Sequence, residues 1–538
     1  MTITRREFAA ATLLAASAAA LTRAVPGQAA LAAADNPVFR HGVASGDPLR
    51  DRVILWTRVT PGAHVAPLPV RWRIGTDAAL RKIVDQGEVT ARPARDFTVK
   101  VDALGLEPGR TYYYQFDAAG HASPLGRTRT LPTGIVARTR LAVVSCSNLP
   151  FGYFNAYAAI AARFDLDAVL HLGDYFYEYG PSDRDKGAAP GRAHAPAHEL
   201  LTLADYRTRH GQYRQDPDLQ DAHRQHPWIM VWDDHESAND SWTGGAQNHN
   251  PDKGEGDWQT RKAAATRAYA EWMPIREMPD DDTGVRMFRR FAFGELADLI
   301  MLDTRLHGRD QQVAKGDLQA AADPRRSLLG SDQAQWLARQ LRTSKERGAA
   351  VRLIGQQVMF SPLLDEHRLA MNMDQWDGYV ASRTQVLTQL RTEKISDVVV
   401  LSGDIHSAWA FDVPLDPFTG FDPVTGKGSL AVEMVGTSVT SPGAFGSGPA
   451  AAEREVQVRK NLPHLHYVNF RQRGYLIVDV TPERTQGEWY LFDTVLTRPG
   501  VEQLGAAYAN PRGANHLVAV TQPSAPNGER PPVVPVRG

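Results

Sequence analysis

Four short segments of the 538-residue chain end in residues that bind metals or move protons. "RLAVVSCS" presents Cys146, "LDAVLHLGDYFYEY" presents Asp174 and Tyr177, "HPWIMVWDDHESAND" presents Asp233, Asp234 and His235, and "ISDVVVLSGDIHSAWAF" presents Asp404 and His406. In each, an apolar run stops at polar residues, the pattern of a buried strand delivering its carboxyl end. Reactive groups gather at such ends in open α/β sheets, so residues far apart in sequence can converge there. Residues two apart on an extended strand end face the same side, which lets Asp404 and His406 grip one ion or two adjacent ones. Taken singly, each has a plainer reading. A strand-end Asp caps a helix or forms a turn, a buried Cys is a small core hydrophobe, and a Tyr in an aromatic run packs. Taken together, Gly-Asp-x-x-Tyr, Asp-Asp-His-Glu and Gly-Asp-x-His in one stretch of chain point to a metal centre.

The elements that must position these groups fall into two textures. From 36 to 133, short strands separated by Pro and Gly ("DRVILWTRVTP", "LPVRWRIGTD", "LEPGRTYYYQF") predict a small antiparallel β-sandwich, with "RTLPTG" as a linker. From 138 to 500, strands alternate with helices such as "FNAYAAIAARF", the pattern of a layered α/β domain. Residues 501–538 read as a C-terminal extension whose Pro-rich end, "PSAPNGERPPVVPVRG", is expected to be flexible. Residues 1–34 read as a twin-arginine export signal: Arg5 and Arg6 precede an Ala-rich apolar run, and small residues follow at a cleavage site. That run is about 14 residues long, whereas crossing a membrane takes about 20, and no later segment reaches that length. The expected location is therefore periplasmic or secreted. That route moves folded proteins, often loaded with a metal, and Cys146 is the chain's only cysteine, without a disulfide partner. A formal net charge of −1 argues against nucleic-acid or membrane-surface binding through bulk electrostatics.

The three motifs resemble those of calcineurin-like metallophosphoesterases, with Asp-His-Glu at 234–236 where relatives carry Asn-His-Glu. "HGVASGDPLRDRVILWTRVTP", "LADYRTRHGQYRQDPDLQDAHRQHPWIMVWDDHE", "MNMDQWDGYVASR" and "VVLSGDIHSAW" are similar to the alkaline phosphatase D family, over roughly 38–500. The resemblance implies a four-layer β-sandwich flanked by helices, preceded by an immunoglobulin- or fibronectin-like all-β domain. It implies Fe(III) bound by Cys146, Asp174, Tyr177 and His406, with Asp174 bridging to Ca(II) held by Asp234 and Asp404, and Asn239 a weaker candidate. Charge supports the first assignment independently, since thiolate, phenolate and carboxylate suit a trivalent ion. Oxygen donors suit calcium at the second. Where relatives begin with Asp-x-His, this chain has Ser145-Cys146-Ser147. The implied activity is hydrolysis of phosphate mono- and diesters by metal-bound hydroxide, with His235 stabilising the phosphate or protonating the leaving group. Arg305 is a candidate phosphate ligand, or else a salt-bridge partner for a neighbour such as Asp303. Two alternatives stand beside this: a phospholipase D-like phosphodiesterase acting on lipid or cell-wall polymer, and a non-catalytic, metal-stabilised surface binding protein.

Overall fold

Strands whose residues alternate between two apolar surroundings form two mixed sheets that face each other. Ala297–Met301 shows the alternation: Leu299 and Met301 join the core between the sheets, while Ile300 joins a second cluster outside it. That outer cluster includes Leu337 and Leu341 of the helix Gly330–Glu346 and Leu387 and Leu390 of the helix Val380–Thr392. The seven-stranded sheet has at its centre the parallel strands Ala297–Met301, Val351–Gly355, Val398–Ser402 and Ser429–Val435. The ten-stranded sheet has Thr139–Val144, Ala168–His171 and Pro227–Met230 parallel at its centre, followed by Val43–Gly46. Near-continuous apolar strands of this kind suit parallel sheets covered on both faces. Trp489 bridges the two sheets, its indole donating to the Val435 carbonyl at 2.8 Å.

The computed structural model describes residues 36–62, 66–181, 189–443, 446, 448–528 and 530–535. The leader, with Arg5 and Arg6, lies outside the described residues. Everything described falls in one compact unit, Asn36–Val536. No helix among the described residues is long and apolar enough to cross a membrane.

The structure adds detail at both ends of the described chain. The N-terminal strands pack as two sheets on a hydrophobic cluster of their own, but one of those sheets is continuous with the ten-stranded sheet. Val43–Gly46 pairs in parallel with Pro227–Met230, so three N-terminal strands extend the ten-stranded sheet while the remainder form a five-stranded sheet. Asp47 fastens this junction by pairing with Arg289 at 2.8 Å. The C-terminal extension is also held. Glu502–Pro511 and Val518–Ala519 are the last two strands at one end of the ten-stranded sheet. Beyond them, carbonyls of Pro531 and Pro535 accept from Arg127 and Arg224 at 3.2 and 2.6 Å. Proline removes an N–H but keeps its carbonyl, so a Pro-rich segment can be fixed by arginine donors.

Candidate metal centre

Adjacent parallel strands end level with one another, Val144 opposite His171 and His171 opposite Met230, and the polar residues follow directly. The turns beyond those ends are sharp. Cys146, Asp174, Asp404 and His406 all have positive φ, between 54° and 63°. Such backbone costs of order 1–3 kcal/mol per non-glycine residue and persists only where surroundings over-determine it. Here it accompanies the turn of Cys146, Asp174 and His406 toward one another and of Asp404 toward the adjoining acidic group. Two glycines permit the approach. A Cβ on Gly173 (φ 107°) would sit 2.4 Å from the Asp233 backbone nitrogen, and one on Gly403 would sit 2.7 Å from Ser145 Oγ.

The structure brings the expected ligands together in two adjoining groups. Cys146, Asp174 and His406 have their ligand atoms within 4.8 Å of one another. Tyr177 joins them, donating its hydroxyl hydrogen to Asp174 Oδ2 at 2.9 Å and standing 3.0 Å from His406 Nε2. Asp233, Asp234 and Asp404 form a second group, and Asp174, Asp234 and His235 link the two. Cys146, Asp174, Tyr177 and Asp234 are buried, while Asp404 and His406 are partly exposed and mark the open side. Asn239 stands apart in its contacts: its side-chain amide donates to Gln247 at 2.9 Å and its backbone N–H to Glu178 at 2.8 Å.

The electrostatics are those of a site built for cations. Asp174 Oδ1 and Asp233 Oδ2 are buried without a hydrogen-bond partner, and such groups call for an explanation such as an ion. Burial, then the charge of Asp174, pushes the Cys146 thiol and the Tyr177 phenol well above their ordinary values. Burial also raises Asp404, to about 6, despite Arg305. The thiol and the phenol would ionise only beside positive charge, and the mix of one thiol, one phenol, one imidazole and several carboxylates matches a hard, highly charged ion next to an oxygen-ligated one.

His235 has a fixed orientation. Its Nδ1 lies 2.7 Å from Glu178 Oε2, and its ring packs 4.2 Å from that of Tyr177. Burial lowers its basicity, but Asp234, Asp174 and Glu178 together outweigh that and hold the imidazole well above its usual range.

Arg305 is a salt-bridge partner, as the second expectation had it, but of other aspartates than Asp303. Its guanidinium is fully buried and pairs with Asp233, with Asp374 at 2.6 Å and with Asp404 at 2.7 Å. Asp303 instead accepts the backbone N–H of Arg305, at 2.9 Å. Arg305 therefore braces the acidic group and presents no open face to a phosphate. Arg309 braces Asp374 from the other side at 2.5 Å.

Sequence reasoning passed over the supports. Glu236 is buried and accepts backbone N–H groups from Asp174 (3.0 Å), Tyr175 (2.6 Å) and Asp233 (2.8 Å), pinning two ligand-bearing turns at once. Burial and Asp174 push its pKa up, yet all three partners are donors, which the ionised carboxylate satisfies best. Glu178 and Asp374 went unmarked although both stand inside quoted motifs, beside Tyr177 and in "MNMDQWDGY". Ser441 donates to the Tyr177 oxygen at 2.6 Å from a loop with no recognisable signal. His171 packs beneath the site, stacked on Trp228 and 3.0 Å from the Tyr157 hydroxyl. Trp376 is core, its indole donating to Gln356.

Two facing mixed sheets whose strand ends collect thiol, phenol, imidazole and carboxylates define a layered α/β protein with a candidate metal centre. The family model for PhoD-like phosphatases matches residues 141–489, and that for their N-terminal domain matches 25–132. Alkaline phosphatase D of Bacillus subtilis (strain 168) is 38% identical over 486 residues, which cover 86% of this chain and 79% of that protein. A solved structure of PhoD superposes with a TM-score of 0.82 at 34% identity, covering 92% of this chain and 94% of that one. The chain belongs to the PhoD-like phosphatase family and is a phosphoric ester hydrolase.

Proposed function

We propose that the protein is an exported, metal-dependent phosphoesterase acting on phosphate mono- and diesters. The reading rests above all on the convergence of Cys146, Asp174, Tyr177 and His406 beside Asp234 and Asp404. The first four would hold Fe(III). Asp174, Asp234 and Asp404, with Asn239 a lesser candidate, would hold Ca(II). When bound, the cations supply Lewis acidity to the phosphate oxygens and to a nucleophilic water. The chain's own residues do the rest. Glu178 fixes His235 through Nδ1, leaving Nε2 to meet the phosphate and to deliver a proton to the departing oxygen. Arg305 keeps Asp233, Asp374 and Asp404 in place and offsets their repulsion. Partial exposure at Asp404 and His406 gives substrate its way in.

In this reading residues 1–34 are a twin-arginine leader removed on export, 36–133 an N-terminal β unit and 138–500 the catalytic unit. The lone buried thiol fits export after folding, with iron already in place. The test is metal analysis of the folded protein alongside hydrolysis of p-nitrophenyl phosphate and bis-p-nitrophenyl phosphate. Iron near one equivalent per chain, calcium, a visible thiolate- or phenolate-to-iron band and turnover of both esters are expected. A colourless, iron-free, fully active protein would sink the assignment of Cys146 and Tyr177.

A further inference from the structure

Away from the catalytic strand ends, one more group of ligating side chains converges. Asp412 lies on the strand Ala408–Pro414 and His466 on the neighbouring edge strand Leu465–Asn469, both in the seven-stranded sheet. His516 comes from the C-terminal segment that links Glu502–Pro511 to the edge strand Val518–Ala519 of the ten-stranded sheet. Asp412 Oδ2 is 2.6 Å from His516 Nδ1 and 3.1 Å from His466 Nε2, and the two rings lie 5.3 Å apart.

Three observations point beyond a hydrogen-bonded clasp. His466 Nε2 is buried and close to the carboxylate, yet its geometry satisfies no hydrogen bond. Asp412 is completely buried, its other oxygen taken by the Leu517 N–H at 2.9 Å, which aims Oδ2 at the two imidazoles. The surroundings are shaped to the rings: Gly426, at φ 71°, comes so close that a Cβ there would lie 2.4 Å from His516 Cγ. Tetrahedral ligands at zinc's usual bond lengths lie roughly 3.3–3.5 Å from one another, so an ion would need only a few tenths of an ångström of spreading.

We propose that Asp412, His466 and His516 form a second metal site, separate from the catalytic centre, for a divalent ion of the zinc class. Two imidazoles and one carboxylate suit zinc better than calcium or magnesium, which favour oxygen donors alone. The side chains of His466 and His516 keep 17% and 14% of their exposure, which gives water access to the fourth position. Binding takes the tautomers protonated on His516 Nε2 and His466 Nδ1, freeing the two facing lone pairs. An ion here joins the C-terminal segment to the opposite sheet and stabilises the fold by mass action.

The test is equilibrium dialysis of the full-length protein against zinc chloride, followed by elemental analysis, for wild type, His466→Gln and His516→Gln. Wild type is expected to retain one zinc per chain more than either variant. Its melting temperature should rise with zinc while theirs stays put. Iron content and p-nitrophenyl phosphate hydrolysis should match in all three, which separates this site from the catalytic one. Equal zinc retention by wild type and a folded variant overturns the proposal and leaves a hydrogen-bonded clasp. Should His516→Gln not fold, His466→Gln, on an edge strand, decides alone.

Discussion

Replacing Glu236 should separate the support of the metal centre from its ligands. Its two oxygens accept three backbone N–H groups, from Asp174, Tyr175 and Asp233, in a site from which water is excluded. Glu236→Gln keeps the shape but turns one acceptor into a donor. With the amide oxygen in the position that now receives two bonds, a single N–H is orphaned, at a cost of ~1–3 kcal/mol. Glu236→Ala orphans all three and opens a cavity, for which ~3–6 kcal/mol is expected once non-additivity is allowed for. The assay is guanidinium unfolding followed by fluorescence, run with metal analysis of each purified variant. Alanine should unfold far earlier and retain less of both metals, since the turns bearing Asp174 and Asp234 lose their common anchor. Glutamine should fall between it and wild type. If Glu236→Ala unfolds within ~1 kcal/mol of wild type with full metal content, the three hydrogen bonds do not hold the turns and the argument fails.

Other changes probe other parts of the network. Arg305→Leu should destabilise the protein by ~3–5 kcal/mol by leaving buried carboxylates unpaired, and added calcium should recover part of the loss in a thermal melt. His235→Asn should lower kcat about 10²–10⁴-fold on alkyl phosphates but less on p-nitrophenyl phosphate, whose leaving group departs without a proton. An equal loss on both would make His235 a phosphate-positioning residue only. On the helix Pro217–Gln225, burial and then Asp216 raise Asp218 to about 7 against the pull of Arg498. A carboxyl group raised this way binds more protons when folded, so stability falls as pH climbs from about 4 to about 7. Asp218→Asn should lack that decline, so its advantage over wild type in urea midpoint should grow up to pH 7 and then level off.

The convergence of the candidate ligands was legible in the sequence because each sits in a local pattern, an apolar strand that stops at a polar turn, and because parallel sheets bring such ends together without needing any particular contact. What surrounds them was not legible, and Arg305 shows why. Its nearest acidic neighbour in sequence, Asp303, meets only its backbone, while its guanidinium reaches Asp233, Asp374 and Asp404 from three other segments. The same holds for Val43–Gly46, whose apolar sequence suits a sandwich strand as well as the parallel partner it becomes for Pro227–Met230. Local pattern reports how a residue is presented, whereas pairing depends on which other segments arrive. The consequence bears on the chemistry. Four candidate ligand residues are held in strained backbone beside a cluster of buried carboxylates, and both the strain and the repulsion call for supports such as Glu236, Arg305 and Arg309. A ligand set grafted onto another scaffold without those three would assemble the right atoms in a frame that relaxes apart.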